Sequence, residues 1–239
     1  MNVLVVTCHP DDMEIGCGGT LARYVQEGHN VTFCHCANGN MGHVLIQPDE
    51  LGPMRIQESI NGAAKLGVTD VITLNVGDLY VDHRDQKQVE AMTEIVRRVN
   101  PDVIITHDPE DYMKDHREVS LLVFDASFSA TVPHFAEGGS PFTGTFAPIF
   151  YMDTLAGVNF QPEYYVNITD TVEQKLEALD CHESQIKWMR DHDHIDFLDM
   201  VRTCAKYRGY QSGVTYAEGF KICKVYPRMT TRRLLPLDD

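Results

Sequence analysis

A short β-branched run at Val3 to Val6, closed off by Pro10, opens the chain and reads as a strand buried on both faces. After glycines at 16, 18 and 19, Leu21 and Val25 fall four apart on one helix face, and Gly28 stands where a left-handed cap ends a helix. The alternation then repeats. Val31 to Cys36 predicts a second strand, followed by a helix opened by Pro53, with Ile56, Ile60, Ala63 and Ala64 on its apolar face and its end at Gly67. Val71 to Leu74 is a third strand, and Val89, Met92, Val96 and Val99 mark a helix that stops before Pro101. Val103 to Thr106 makes a fourth strand, and from His116 onward Val119, Leu122, Val123 and Ala126 again keep helical spacing.

Strand and helix alternating in this way predict an α/β fold with a mostly parallel, doubly wound sheet flanked by helices. Residues 132–147, rich in glycine and proline, form a long loop expected to act as a substrate-side lid. Beyond it lie predicted strands at Ile149 to Met152 and Tyr164 to Ile168, then a helix with Thr169 or Asp170 as its N-cap. No linker, repeat or low-complexity tract interrupts the pattern, so residues 1–239 are expected to form a single domain.

Composition narrows the function. Hydrophobic residues at 43% and charged residues at 23% are those of a globular protein, while a formal charge of -15 argues against nucleic acid and other polyanions as partners. No stretch approaches the ~20 apolar residues of a membrane helix, and the start lacks the features of a signal peptide, which predicts a cytoplasmic protein with no membrane partner. The seven cysteines form no C-x-x-C pair, as suits free thiols in a reducing compartment.

Two segments carry candidate chemistry. T-C-H-P-D-D-M-E at 7–14 follows the first strand, and T-H-D-P-E-D-Y-M-K-D-H-R at 106–117 follows the fourth. Ligands of open α/β sheets bind outside the carboxyl ends of the strands, so His9, Asp11 and Asp12 project toward the expected crevice. If the first and fourth strands are neighbours, His9, Asp12 and His116 offer N, O and N to a zinc ion with a position left open, the pattern of a catalytic site. Adjacent carboxylates repel unless a cation sits between them, and a metal on one leaves the other free as a base. Either segment alone is as well explained by helix capping and turn formation; together they reach further.

The pair resembles the LmbE/PIG-L family of zinc-dependent N-deacetylases. Its A-H-P-D-D-x-E signature stands here as C-H-P-D-D-M-E and its H-x-D-H signature as M-K-D-H at 113–116; G-C-G-G-T at 16–20, R-I-Q-E at 55–58, H-E-S-Q at 182–185 and Y-A-E-G-F at 216–220 extend the likeness. The resemblance implies a Rossmann-like α/β domain, one zinc (Zn2+) per chain held by His9, Asp12 and His116, and Asp11 as general base. The substrate it implies is an N-acylated amino sugar or glycoconjugate, and the assembly a homo-oligomer. Zinc would polarise the amide carbonyl and lower the pKa of its water toward ~7.

The departure is Met113, which replaces a histidine expected to stabilise the oxyanion. A thioether donates no hydrogen bond, so a recruited donor is expected: a histidine from the 192–194 region, His194 in particular, or Arg55. The resemblance, through the family's R-x-x-E element, also implies that Arg55 reaches substrate hydroxyls, the alternative being a surface pair with Glu58. Asp115 would engage the recruited donor or fix the ring of His116. His182 is a lesser candidate; Glu14 is expected to orient the loop, Trp188 to sit in the core, and Asn38 to form a turn. Two rivals stand beside this reading. A nucleotide-cofactor enzyme such as a methyltransferase would need an acidic residue at the end of the second strand, and V-T-F-C-H-C-A-N has none. A sugar- or metal-binding module of the same fold without activity is the other, kept open by Met113.

Overall fold

The computed structural model describes residues 1–238. Five strands, β1 (Asn2–Thr7), β2 (Asn30–Ala37), β3 (Asp70–Val76), β4 (Val103–Thr106) and β5 (Ile149–Met152), run parallel, and β6 (Tyr164–Asn167) and β7 (Ala217–Ile222) complete the sheet in the order β3-β2-β1-β4-β5-β7-β6. β7 is antiparallel to both of its neighbours, with Phe150 opposite Ile222 on one side and Tyr164 opposite Phe220 on the other. The mostly parallel α/β sheet expected from the alternation is the one observed.

Alternation along the buried strands feeds two cores. Val3, Val5, Phe33 and Ile105 face one side, where α1 (Asp12–Gln26), α5 (Val172–Leu179) and α7 (Phe197–Ser212) supply Leu21, Leu176 and Val201. Leu4, Val6, Cys34 and Ile104 face the other, against Met92, Ile95 and Val96 of α3 (Gln86–Val99) and Val119, Leu122 and Val123 of α4 (Lys114–Ser129). Two further helices, α2 (Pro48–Lys65) and α6 (Glu183–Asp191), complete the set, with a 3-10 turn at Leu155–Gly157. Among the described residues no helix is long and apolar enough to cross a membrane.

Three expectations need correcting. α2 begins at Pro48 rather than Pro53, and its buried face is Leu51, Arg55, Glu58, Ser59 and Ala63, with Ile60 left 41% exposed. The helix turns a polar stripe inward because that stripe borders the site, and hydrophobic periodicity reads such a helix in the wrong phase. The N-cap position of α5 is Thr171 rather than Thr169 or Asp170, and its side chain caps nothing, since the hydroxyl donates to the Gly19 carbonyl. The loop at 132–147 is no lid. It joins the end of α4 to the start of β5, and so lies at the amino edge of the strands, opposite the crevice. There Arg97 donates to the carbonyls of Val132, Phe135 and Ala136, and Glu94 accepts from Ser140.

Candidate metal centre

The chain crosses over between β3 and β4, so the strand order reverses at the β1/β4 pair, where Val3, Leu4 and Val5 lie beside Val103, Ile104 and Ile105. This switch point opens a crevice at the carboxyl ends of the two strands, and both chemical segments emerge there. Three imidazole nitrogens, His9 Nδ1, His107 Nε2 and His116 Nε2, converge on one oxygen, Asp12 Oδ2, each at 3.4 Å. The same oxygen accepts the His9 backbone N–H at 2.7 Å.

His9, Asp12 and His116 therefore sit together, their ligand atoms close enough to share one ion. His116 Nε2 is buried and has no hydrogen-bond partner, while its Nδ1 is 3.0 Å from Asp111 Oδ2. An orphaned imidazole nitrogen beside a carboxylate, with its other nitrogen held by a second carboxylate, fits a divalent cation. Burial alone would lower the His116 imidazole, but Asp12 and Asp111 outweigh it and hold it up at about 9. Asp12 is likewise kept well below the usual carboxylate range, against burial, by the surrounding imidazoles. Protons thus occupy, in the metal-free chain, the place of the charge that a cation supplies.

Asp11 stands at a left-handed backbone position, φ 107°, at the mouth of α1. Such a conformation costs a non-glycine residue of order 1–3 kcal/mol and persists only where neighbours impose it. Arg55 does so here: its guanidinium, 3% exposed, donates to Asp11 Oδ2 at 3.0 Å, to the Pro10 carbonyl and to the Gly39 carbonyl. Gly39 (φ +74°) makes room, since a Cβ there would lie 2.7 Å from the guanidinium. Burial raises the Asp11 carboxyl to about 6 against the pull of Arg55. The pairing with Glu58 does not form; Glu58 accepts from Ser184 instead.

Other expected residues are distributed differently. Asp115 accepts the Leu79 N–H and lies 3.4 Å from His9 Nε2, and the carboxylate on the ring of His116 is that of Asp111. His194 and His192 are exposed and lie outside the crevice; His192 stacks on Trp188, itself half-buried, and His194 borders a separate surface depression with Arg190 and Ile195. The chain on its own brings neither to Met113. Glu14 and His182, both with no exposure, face each other at 3.3 Å beneath the loop, and Asn38 closes a turn with Asn40 and Asn75.

Sequence reasoning missed His107, Asp111 and Asp78. His107 stacks on His116 with ring centroids 3.9 Å apart, and burial with the His116 charge pushes its imidazole down to about 4. Asp78 accepts the N–H groups of Gly39 and Met41, fixing the loop that meets Arg55. Only the position of His107 at the end of β4 could have signalled any of these. His9, Asp11, Asp12, Arg55, Asp78, His107 and His116 line a chamber of about 270 Å³, with Gln185, Met113, Met152 and Phe197 among its other walls.

A family model described as PIG-L, GlcNAc-PI de-N-acetylase, matches residues 4–127, which hold both chemical segments. The chain belongs to the PIG-L family. The diacetylchitobiose deacetylase of Thermococcus kodakarensis is 30% identical over 230 residues, 92% of this chain and 82% of that protein. Among solved structures, the N,N'-diacetylchitobiose deacetylase of Pyrococcus horikoshii superposes with a TM-score of 0.80 at 29% identity, covering 92% of this chain and 83% of that one. GalB, the 4-carboxy-2-hydroxymuconate hydratase of Pseudomonas putida KT2440, shares the fold with a TM-score of 0.81 at 22% identity, over 98% of this chain and 100% of that one. The PIG-L fold thus carries more than one chemistry, and the reaction must be argued from the site.

Proposed function

We propose that this chain is a zinc-dependent N-deacylase of an N-acylated amino sugar or glycoconjugate. The observation that carries the reading is the convergence of His9, His107 and His116 on Asp12 at the switch point, with Asp11 adjacent and held by Arg55. His9, Asp12 and His116 hold the ion, and Asp111 orients His116. When bound, zinc supplies Lewis-acid chemistry, polarising an amide carbonyl and acidifying water. Asp11 takes a proton from the attacking water through the oxygen that Arg55 leaves free, and passes it to the leaving amine. Arg55 does not have to meet the substrate in this scheme; it holds the base. The sugar class follows the PIG-L relatives, whose names specify diacetylchitobiose. A cytoplasmic setting belongs to the same reading, supported by seven free cysteines, and homo-oligomeric assembly follows from the family likeness.

Metal analysis coupled to an amine-release assay on N-acetylated amino sugars tests the reading. About one zinc per chain, lost together with activity in His116→Ala, is expected; full metal occupancy in that variant would overturn the ligand assignment.

A further inference from the structure

The two ring nitrogens of His9 face different partners. Nδ1 lies against Asp12 in the proposed zinc centre, 3.4 Å from Oδ2. Nε2, across the ring, is 3.6 Å from Cys8 Sγ and 3.4 Å from Asp115 Oδ2. Cys8 has no exposure and Asp115 is 2% exposed, and Asp115 Oδ1 is buried without a hydrogen-bond partner among the described residues. The family signature A-H-P-D-D-x-E has alanine where Cys8 stands, so sulfur beside this ring is a departure of this chain from the family pattern.

These separations fit the edges of a coordination tetrahedron. Bond lengths of about 2.3 Å to sulfur and about 2.0–2.2 Å to nitrogen and oxygen place a thiolate sulfur about 3.5–3.6 Å from an imidazole nitrogen, and that nitrogen about 3.3–3.5 Å from a carboxylate oxygen. The Cys8–His9 and His9–Asp115 separations match both edges, and ligand atoms of all three residues lie within 4.8 Å of one another. A charge-assisted N–H···O bond runs about 2.7–2.9 Å, well short of the His9–Asp115 distance. The ring of His9 lines the chamber, which gives an ion a way in.

We propose that Cys8 Sγ, His9 Nε2 and the Asp115 carboxylate form a second cation site, behind the His9 ring, for a thiophilic divalent ion such as cadmium or excess zinc, and that filling it inhibits the chain. A neutral imidazole offers one lone pair, so an ion on Nε2 leaves hydrogen on Nδ1 and takes His9 away from the zinc centre. The thiol proton leaves to solvent as the sulfur–metal bond forms. Burial pushes the Cys8 thiol up to about 12, so its proton yields only to an ion that binds sulfur strongly. The inhibition rests on the zinc-dependent reading; the site itself does not.

The test titrates the full-length, metal-free chain with cadmium chloride and follows the ultraviolet charge-transfer band of a cadmium–thiolate bond. Wild type and His116→Ala should both show the band, the second because its zinc-centre ligand set is broken while Cys8, His9 and Asp115 remain. Cys8→Ala, which restores the alanine of the family signature, should lose the band. Asp115→Asn, a second variant that keeps the side-chain volume, should weaken cadmium binding at least about tenfold, no less than the loss of an outer-shell partner costs a metal site. Cys8→Ala loaded with one equivalent of zinc should turn over like wild type and tolerate an excess of zinc that inhibits wild type. No cadmium–thiolate band in wild type, or a band undiminished in Cys8→Ala, overturns the site and leaves the zinc centre standing. A band without inhibition by excess zinc overturns the competition for His9. No turnover of any amide by wild type overturns the N-deacylase reading, and the band still decides the site.

Discussion

Replacing Arg55 with methionine keeps an unbranched stem and removes the guanidinium with its charge and donors. Three acceptors lose a donor at once: Asp11 Oδ2 and the carbonyls of Pro10 and Gly39, of which the last keeps a long bond from the Gly42 N–H. Breaking a buried ion pair by deleting one member costs about 3–5 kcal/mol, because the surviving charge stays buried without compensation. Asp11, 7% exposed, is that survivor.

The pH dependence separates the charge from the packing. Burial already raises the folded-state Asp11 carboxyl to about 6, and Arg55 is the strongest influence holding it down, so Arg55→Met raises it further. An acid whose folded pKa lies above its unfolded value contributes stability at low pH and loses it as pH rises through the folded pKa. In the metal-free chain the loss should therefore be largest near pH 8 and shrink toward pH 5, where Asp11 is protonated in both proteins and only lost packing and unpaired carbonyls remain. Urea unfolding of both chains, stripped of metal by a chelator, at several pH values measures this. A difference under about 1 kcal/mol at pH 8, or one independent of pH, would refute the claim that Arg55 holds Asp11.

Other outcomes follow from the same geometry. Asp111→Ala should weaken zinc affinity by about 10–100-fold by releasing His116 Nδ1, read by competition with a chelator; unchanged affinity would remove Asp111 from the metal site. His35, with no exposure, has its imidazole pushed down to about 4 by burial and by the nearby Arg55 charge, so the folded chain resists a proton that the unfolded chain accepts. Its contribution is fully present above about pH 6.5 and lost as pH falls toward 4, amounting to about 3 kcal/mol. In His35→Gln the proton uptake on unfolding between pH 4.5 and 6 should fall by about one proton; an unchanged slope would contradict this.

The order of strands and helices up to α4 was legible because its signals are local, namely buried β-branched runs, helical spacing, and glycine or proline at the ends, although the start and the buried face of α2 were not. β7 was not. Its sequence, A-E-G-F-K-I, places a glutamate, a glycine and a lysine inside a strand. Only tertiary contacts explain the glutamate: Glu218 accepts from the N–H groups of Gly19 and Thr20 and from Lys175 at 2.6 Å. At the site, the two signature segments could be paired because each follows a strand, and strand ends are where open α/β sheets bind ligands. Asp111, Asp78 and the clamp on Asp11 depend on how separate loops meet, and nothing in the spacing of Arg55 distinguishes a residue that reaches the substrate from one that holds the base. Met113 was readable as a departure from the family pattern, but the chamber it lines together with Met152, Leu155 and Phe197 assembles only in three dimensions.

In the proposed reaction Asp11, left free by metal ligation at Asp12, is the base of an N-deacylation. Amine release by the zinc-loaded Asp11→Asn chain, with zinc measured in the same sample, tests this role. Zinc should be retained at the wild-type level and turnover lowered by at least ~100-fold. Turnover close to wild type with zinc bound would contradict it.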